Sequence, residues 1–244
     1  MKLKTTLFIS AAILLAINST YSQCDTSLYR DSAGLRQGFW SGPTEEYLHS
    51  SGCYVDGYQH GLWEWYNSDS TLRYRVTYQM GLKLSFVIYS SEGRIQERAY
   101  SYRTDSGFFR IDTMFYETGE VKRLGECIYV ENVDSVKILS SDLYGFWHFD
   151  NWVWHGTQME YFEDGTLKSN VNFKLGVKHG ESTTYWFNKE EFGDNYNTIY
   201  KSVTHYVNGL DHGASRGYWT SGELARIINS DMGKVISKEW FDRK

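Results

Sequence analysis

A unit of about two dozen residues recurs along this chain, and it leaves few folds open. Its best-preserved copy, residues 156–180, reads GTQMEYFEDGTLKSNVNFKLGVKHG. A glycine opens it, a strand-like run follows, and an EDG turn sits at 163–165. A second strand-like run leads to LGVKHG, which delivers the next opening glycine. Aligning Gly61, Gly156, Gly180 and Gly213 places a tyrosine five positions on each time: Tyr66, Tyr161, Tyr185 and Tyr218. Eleven positions on stand Leu72, Leu167 and Leu224, whereas the Gly180 copy, which carries an insertion, has Glu191. Similarity at a fixed period marks a repeat architecture.

The period also defines the unit. Gly57 and Gly81 lie 24 residues apart. That length holds two strands and two turns and leaves no room for a helix. Composition agrees: 20 Tyr and 9 Trp favour strands, 22 Gly supply turns, and a single proline, Pro43, argues against flexible linkers. The chain is therefore predicted to be all-β, an elongated, twisted antiparallel sheet of consecutive β-hairpin repeats. Strict alternation would turn Thr157, Met159 and Tyr161 toward a core and Gln158, Glu160 and Phe162 the other way.

Residues 1–22 carry Lys2 and Lys4, an apolar run from Leu7 to Ile17, and small residues Thr20 and Ser22 before a cut after Ser22. This is the layout of a secretory signal peptide, so the chain is expected to be exported: periplasmic, associated with the outer envelope, or secreted. The apolar run is shorter than the ~20 residues of a membrane span, and none is expected after cleavage. Residues 23–53 read as a lead-in and degenerate repeat or cap. Residues 54–244 form the repeat domain, with a less regular segment at 123–145 and an insertion at 188–198. Removing Lys2 and Lys4 leaves 23 basic residues against 30 acidic ones, without a basic run, which argues against a nucleic-acid partner. Export permits disulfides, but Cys24, Cys53 and Cys127 are odd in number. A Cys24–Cys53 bridge would tie the start of the mature chain to the first repeat, although sequence does not assign the pairing.

The pattern GxxxxYFEDGTLKxxxxFKLGVKHG resembles the MORN repeat, in the bacterial variant seen in secreted and envelope proteins, and is similar to YwqK-type antitoxins. The resemblance is clear at 156–187 and 201–226, fair at 54–96 and 112–122, and poor at 24–50 and 123–145. It implies successive hairpins extending one sheet, and scaffolding or binding rather than catalysis. The residues standing at the pattern's positions, such as Gly165, Leu167, Gly176 and Gly209, are structural ones.

Four groups remain as candidate sites. Phe146, Trp147, Phe149, Trp152 and Trp154 crowd one stretch, with Trp63 and Trp65 as a second aromatic surface. Such rings either close the sheet's core or bind sugar faces and apolar side chains. His60, His155, His179 and His212 each precede an opening glycine, and copies spaced along a sheet do not converge on a metal. Glu160, Glu163 and Asp164 lie near one turn, where they suit a soluble hairpin better than paired acid–base catalysis. The insertion could supply local shape for recognition. No catalytic, metal or cofactor signature is recognised. The expectation is an exported, non-enzymatic repeat scaffold that binds a protein or envelope component, with a glycan as another ligand class. The alternatives are a structural, self-associating envelope element and, less favoured, an enzyme acting on glycan or peptide.

Overall fold

The computed structural model describes residues 24, 27–44, 47, 49–131, 151–187 and 198–243. Among these residues the chain is all-β, with eighteen strands and no helix. They fall into two compact units, residues 1–93 and 94–244. The first holds β1 (Tyr29–Arg30), β2 (Arg36–Gly42), β3 (His49–Val55), β4 (Tyr58–Tyr66), β5 (Leu72–Gln79) and β6 (Leu82–Tyr89). The second holds β7 (Ile95–Thr104), β8 (Gly107–Phe115), β9 (Val121–Tyr129), β10 (Trp152–Tyr161), β11 (Leu167–Lys174), β12 (Val177–Lys178), β13 (Gly180–Tyr185), β14 (Ile199–Val207), β15 (Leu210–Asp211), β16 (Gly213–Trp219), β17 (Leu224–Asp231) and β18 (Lys234–Trp240). Within each unit, strands pair antiparallel with their sequence neighbours, so the contacts that hold the fold are those of one hairpin on the next.

The fixed offsets of the repeat have a direct structural meaning. Tyr66 pairs with Leu72, Tyr161 with Leu167 and Tyr218 with Leu224, each just after a register shift where the strands leave the turn. The tyrosine and the leucine thus close the same end of these three hairpins. In the copy with the insertion, Tyr185 instead pairs with Lys201, and the Trp186 N–H donates to the Tyr200 carbonyl at 2.8 Å. The ladder therefore stays in register on both sides of the insertion, of which residues 188–197 lie outside the described residues.

Two kinds of turn alternate. The wider one is set by a short side chain: Asp69 Oδ1 accepts from the N–H and hydroxyl of Thr71, and Asp164 Oδ1 accepts from the same two groups of Thr166. These bonds, the Thr166 hydroxyl first, hold the Asp164 carboxyl below its ordinary range. The tighter turn has two central residues, both at positive φ, which matches the right-handed twist of a hairpin. It occurs at Asp56-Gly57, Met80-Gly81, Leu175-Gly176, Asn208-Gly209 and Met232-Gly233. The turn glycine also donates its N–H to a carbonyl of the preceding hairpin, as in Gly81 to Gln59 at 2.8 Å and Gly176 to Trp154 at 2.7 Å. Leu175 sits at φ 51°, a region that costs a Cβ-bearing residue about 1–2 kcal/mol and that asparagine tolerates better. Leu175→Asn is expected to raise stability by about 0.5–1 kcal/mol, read as a higher urea midpoint with an unchanged slope.

The structure revises some sequence readings and completes others. The segment 123–145 is not irregular at its start, because Val121–Tyr129 is a full strand paired with both β8 and β10; residues 132–150 lie outside the described residues. The lead-in contains an ordinary hairpin, β2–β3, with Gly38 at φ 85° like the other opening glycines. Cys24 and Cys53 are disulfide-bonded, and Cys127 is free and buried. The inward and outward sets around Met159 do not separate: Thr157 is exposed, whereas Gln158, Met159, Glu160, Tyr161 and Phe162 are all half-buried. Alternation along this strand therefore does not separate one dry face from one wet face.

Candidate functional site

The aromatic residues singled out from sequence divide by what lies beneath them. Trp63 on β4 is only 2% exposed. Its ring lies over Gly52 on β3, stacks on Trp40 with centroids 6.0 Å apart, and meets Tyr54 edge-on at 5.0 Å. Its Nε1 donates to the Cys53 carbonyl at 3.0 Å. Trp63 is a core residue, not part of a docking surface. Trp65 is half-buried between Trp63, at 5.7 Å, and Tyr78, at 6.4 Å. In the second unit Trp154 repeats the Trp63 arrangement: it covers Gly125 on β9, with the Arg123 guanidinium 5.6 Å from its ring.

Trp152 differs. It is half-buried and lies in a cluster with Phe108, 5.2 Å away, and Tyr129, 5.6 Å away and 41% exposed. β8, β9 and β10 bring the three together, because Trp152 pairs with Tyr129 and Phe109 pairs with Ile128, leaving Phe108 beside them. The Arg110 guanidinium sits 4.8 Å from the Trp152 ring. A partly exposed aromatic group with a cation against it can accept apolar or planar groups of a partner. Phe146, Trp147 and Phe149, proposed from sequence for the same surface, lie outside the described residues.

Beside this cluster lies a buried polar group that sequence reading missed. Glu97 on β7 and Asp112 on β8 are both buried, as is Cys127 on β9. Arg110 Nε is 2.7 Å from Asp112 Oδ1, and Arg110 Nη2 donates to Asp112 Oδ2 at 3.0 Å. The Cys127 thiol donates to the same oxygen at 3.4 Å. Burial, then the Asp112 charge, pushes the Glu97 carboxyl up to about 7, against the opposing pull of Arg110 and Arg123. Burial, then Asp112, pushes the Cys127 thiol up as well. A thiol kept protonated is a poor nucleophile, so this cluster does not read as a cysteine-enzyme centre. The sequence signal was present but misleading: Arg110, Asp112 and Met114 alternate with Phe109, Ile111 and Thr113, a pattern that normally marks a solvent face.

Two of the repeat histidines hold turns. His60 Nδ1 accepts the Met80 N–H at 3.3 Å, and His155 Nδ1 accepts the Leu175 N–H at 3.4 Å. Each imidazole thus holds the first residue of the next tight turn, the one forced to positive φ. His212 Nδ1 lies 3.3 Å from Asp231 Oδ1, beside the corresponding turn. Among the described residues no group of three or more His, Cys, Asp or Glu could hold a metal ion. Glu160 is 3.9 Å from Lys168, and Asp164 is engaged in its own turn, so these carboxylates are not set across a substrate site. No helix among the described residues is long and apolar enough to cross a membrane.

Recurring hairpins, tight Gly turns and a tyrosine–leucine clasp define a β-hairpin repeat protein. Two of its stretches, residues 59–80 and 154–175, match the MORN repeat variant. The first runs from β4 through β5 to the Met80 turn, and the second from Trp154 through β11 to the Leu175 turn. Both therefore span a hairpin together with the histidine and the turn residue that it holds. No curated protein matches the chain.

Proposed function

We propose that this chain is an exported, non-enzymatic repeat scaffold whose second unit binds a protein or envelope component through the Phe108–Tyr129–Trp152 cluster. MORN repeats are typically binding or scaffold modules, which supports the general reading. The observation that carries the particular one is the partly exposed ring group with Arg110 against Trp152. Its rings are not seated in glycine notches as Trp63 and Trp154 are, so they are available to a partner. The buried, protonated thiol and the carboxylate held by Arg110 serve the sheet rather than a reaction.

The test is affinity capture from a cell-envelope extract of the source organism with residues 23–244, beside a Tyr129→Ala/Trp152→Ala protein of equal stability. A component enriched by the first and lost with the second supports the reading. Enrichment that survives the double substitution rejects this surface, and no enrichment at any salt concentration rejects the binding role. N-terminal sequencing of the exported protein tests cleavage after Ser22 separately.

A further inference from the structure

We propose that the outer edge of β18 is a strand-addition site for a second copy of this chain, the two β18 strands pairing antiparallel about Ser237. This proposal is independent of the aromatic cluster. All seven residues of β18 are exposed, with Val235 at 46%, Ile236 at 69% and Trp240 at 60%. On its inner edge β18 pairs with β17, from Asp231 opposite Lys234 to Arg226 opposite Trp240. Among the described residues nothing pairs with the outer edge.

The repeat itself shows what such an edge accepts. Counted from the turn glycine, Ser237 stands four positions after Gly233, as Gly180 does after Gly176 and Gly213 after Gly209. In those two strands the opening glycine and the residues after it pair with an antiparallel returning strand, β14 against β13 and β17 against β16. The carbonyl two positions before the opening glycine accepts a turn N–H: Lys178 from Gly209 and Asp211 from Gly233, each at 2.8 Å. The equivalent groups of β18 are the Val235 carbonyl and the backbone from Ser237 to Trp240. β18 thus continues an interface already used twice in this unit, and an unpaired edge of this kind templates a further strand.

The charges of β18 select its occupant. Pairing with a second β18 about Ser237 sets Lys234 opposite Trp240, Val235 opposite Glu239 and Ile236 opposite Lys238. No like charges face one another. Moving the two-fold axis to Ile236 sets Lys234 against Lys238, and moving it to Lys238 sets that lysine against itself; like charges directly opposite are destabilising. The Ser237 register also gives Trp240 a lysine on its open side, where Arg226 already lies 5.7 Å from the ring on β17. The same patch serves both copies, so the contact is isologous and closes as a dimer.

Sedimentation velocity over a concentration series of the mature chain tests the idea. A reversible monomer–dimer equilibrium is expected, and Ser237→Lys, which puts two like charges on the axis, should weaken it at least tenfold. The substitution removes an exposed bond from Asn229 Nδ2 to Ser237 Oγ, so circular dichroism should match wild type. A second arm does not depend on that variant. Opposed Cα atoms in an antiparallel pair lie about 4.5–5.5 Å apart, within disulfide reach, so Ser237→Cys should oxidise to a covalent dimer. Lys238→Cys, whose symmetry mate is offset along the strand, should cross-link much less. A chain that stays monomeric at every concentration overturns the proposal. So does a dimer that Ser237→Lys leaves unchanged, or equal cross-linking at positions 237 and 238.

Discussion

Gly52→Ala is expected to destabilise the first unit by about 3 kcal/mol, at the upper end of what overpacking a core costs. A Cβ built on Gly52 would lie 2.2–2.4 Å from three atoms of the Trp63 ring, well inside van der Waals contact. Trp63 has nowhere to go. Trp40 stacks on it, Tyr54 meets its edge, Trp65 lies 5.7 Å away, and its Nε1 is bonded to the Cys53 carbonyl. The second unit supplies an internal comparison. At Gly125 the added carbon would lie 2.6 Å from the Trp154 ring, but that ring is only half-buried and can tilt outward. Gly125→Ala should therefore cost less, about 1–2 kcal/mol. Trp63→Ala alone should cost about 3–5 kcal/mol. In the Gly52→Ala/Trp63→Ala protein the alanine no longer meets a ring, so the double loss should fall well short of the two single losses added together. Urea unfolding followed by far-ultraviolet circular dichroism, with the Cys24–Cys53 bridge intact, measures all four. Additive losses would mean that the glycine matters for a reason other than the ring above it.

The glycine–tryptophan notch also shows where sequence reading stops. The regular fold was legible because the repeat offsets are pair positions: Tyr66 with Leu72, Tyr161 with Leu167, Tyr218 with Leu224. Turn glycines were legible because positive φ selects for them. Gly52 and Gly125 are different, since each is explained by a side chain on the neighbouring strand that no local pattern predicts. For the same reason Trp63 and Trp65, two residues apart and on one face, look equivalent in sequence, yet only Trp63 has a notch to enter. Met80, Leu175 and Met232 hide their left-handed backbone because none is a usual residue for it. The candidate site was half legible. Trp152 was singled out from sequence, but the groups beside it, Phe108, Tyr129 and Arg110, come from other strands and were not. The buried carboxylates Glu97 and Asp112 were not legible, because alternation reports which residues share a face and not whether that face is covered.

Glu97→Gln should make the protein more stable at pH 8 by about 3 kcal/mol and leave it nearly unchanged at pH 4. Folding buries Glu97 beside Asp112 and lifts its carboxyl from an ordinary value of 4.5 to about 7. The folded state therefore holds a proton that the unfolded chain gives up more readily. The stability this contributes is fully present below about pH 4.5 and is lost as pH rises through about 7. A shift of that size corresponds to about 3 kcal/mol at 1.36 kcal/mol per unit. Glutamine keeps the shape and stays neutral, so the variant should lack this fall between pH 4 and pH 8, which urea midpoints at four pH values would measure. Equal slopes for wild type and variant would show that Glu97 ionises in the folded state as it does in water. Asp112→Asn separates the causes. It removes the charge that is the second contribution to the Glu97 shift, and so should move the wild-type fall to lower pH. It also takes the carboxylate from Arg110, 2.7 Å away, and leaves a buried guanidinium without its counter-charge, so the protein should be less stable at every pH. Opposite effects from neutralising two neighbouring carboxylates would identify Asp112 as the anion this sheet is built to hold and Glu97 as the acid it keeps protonated.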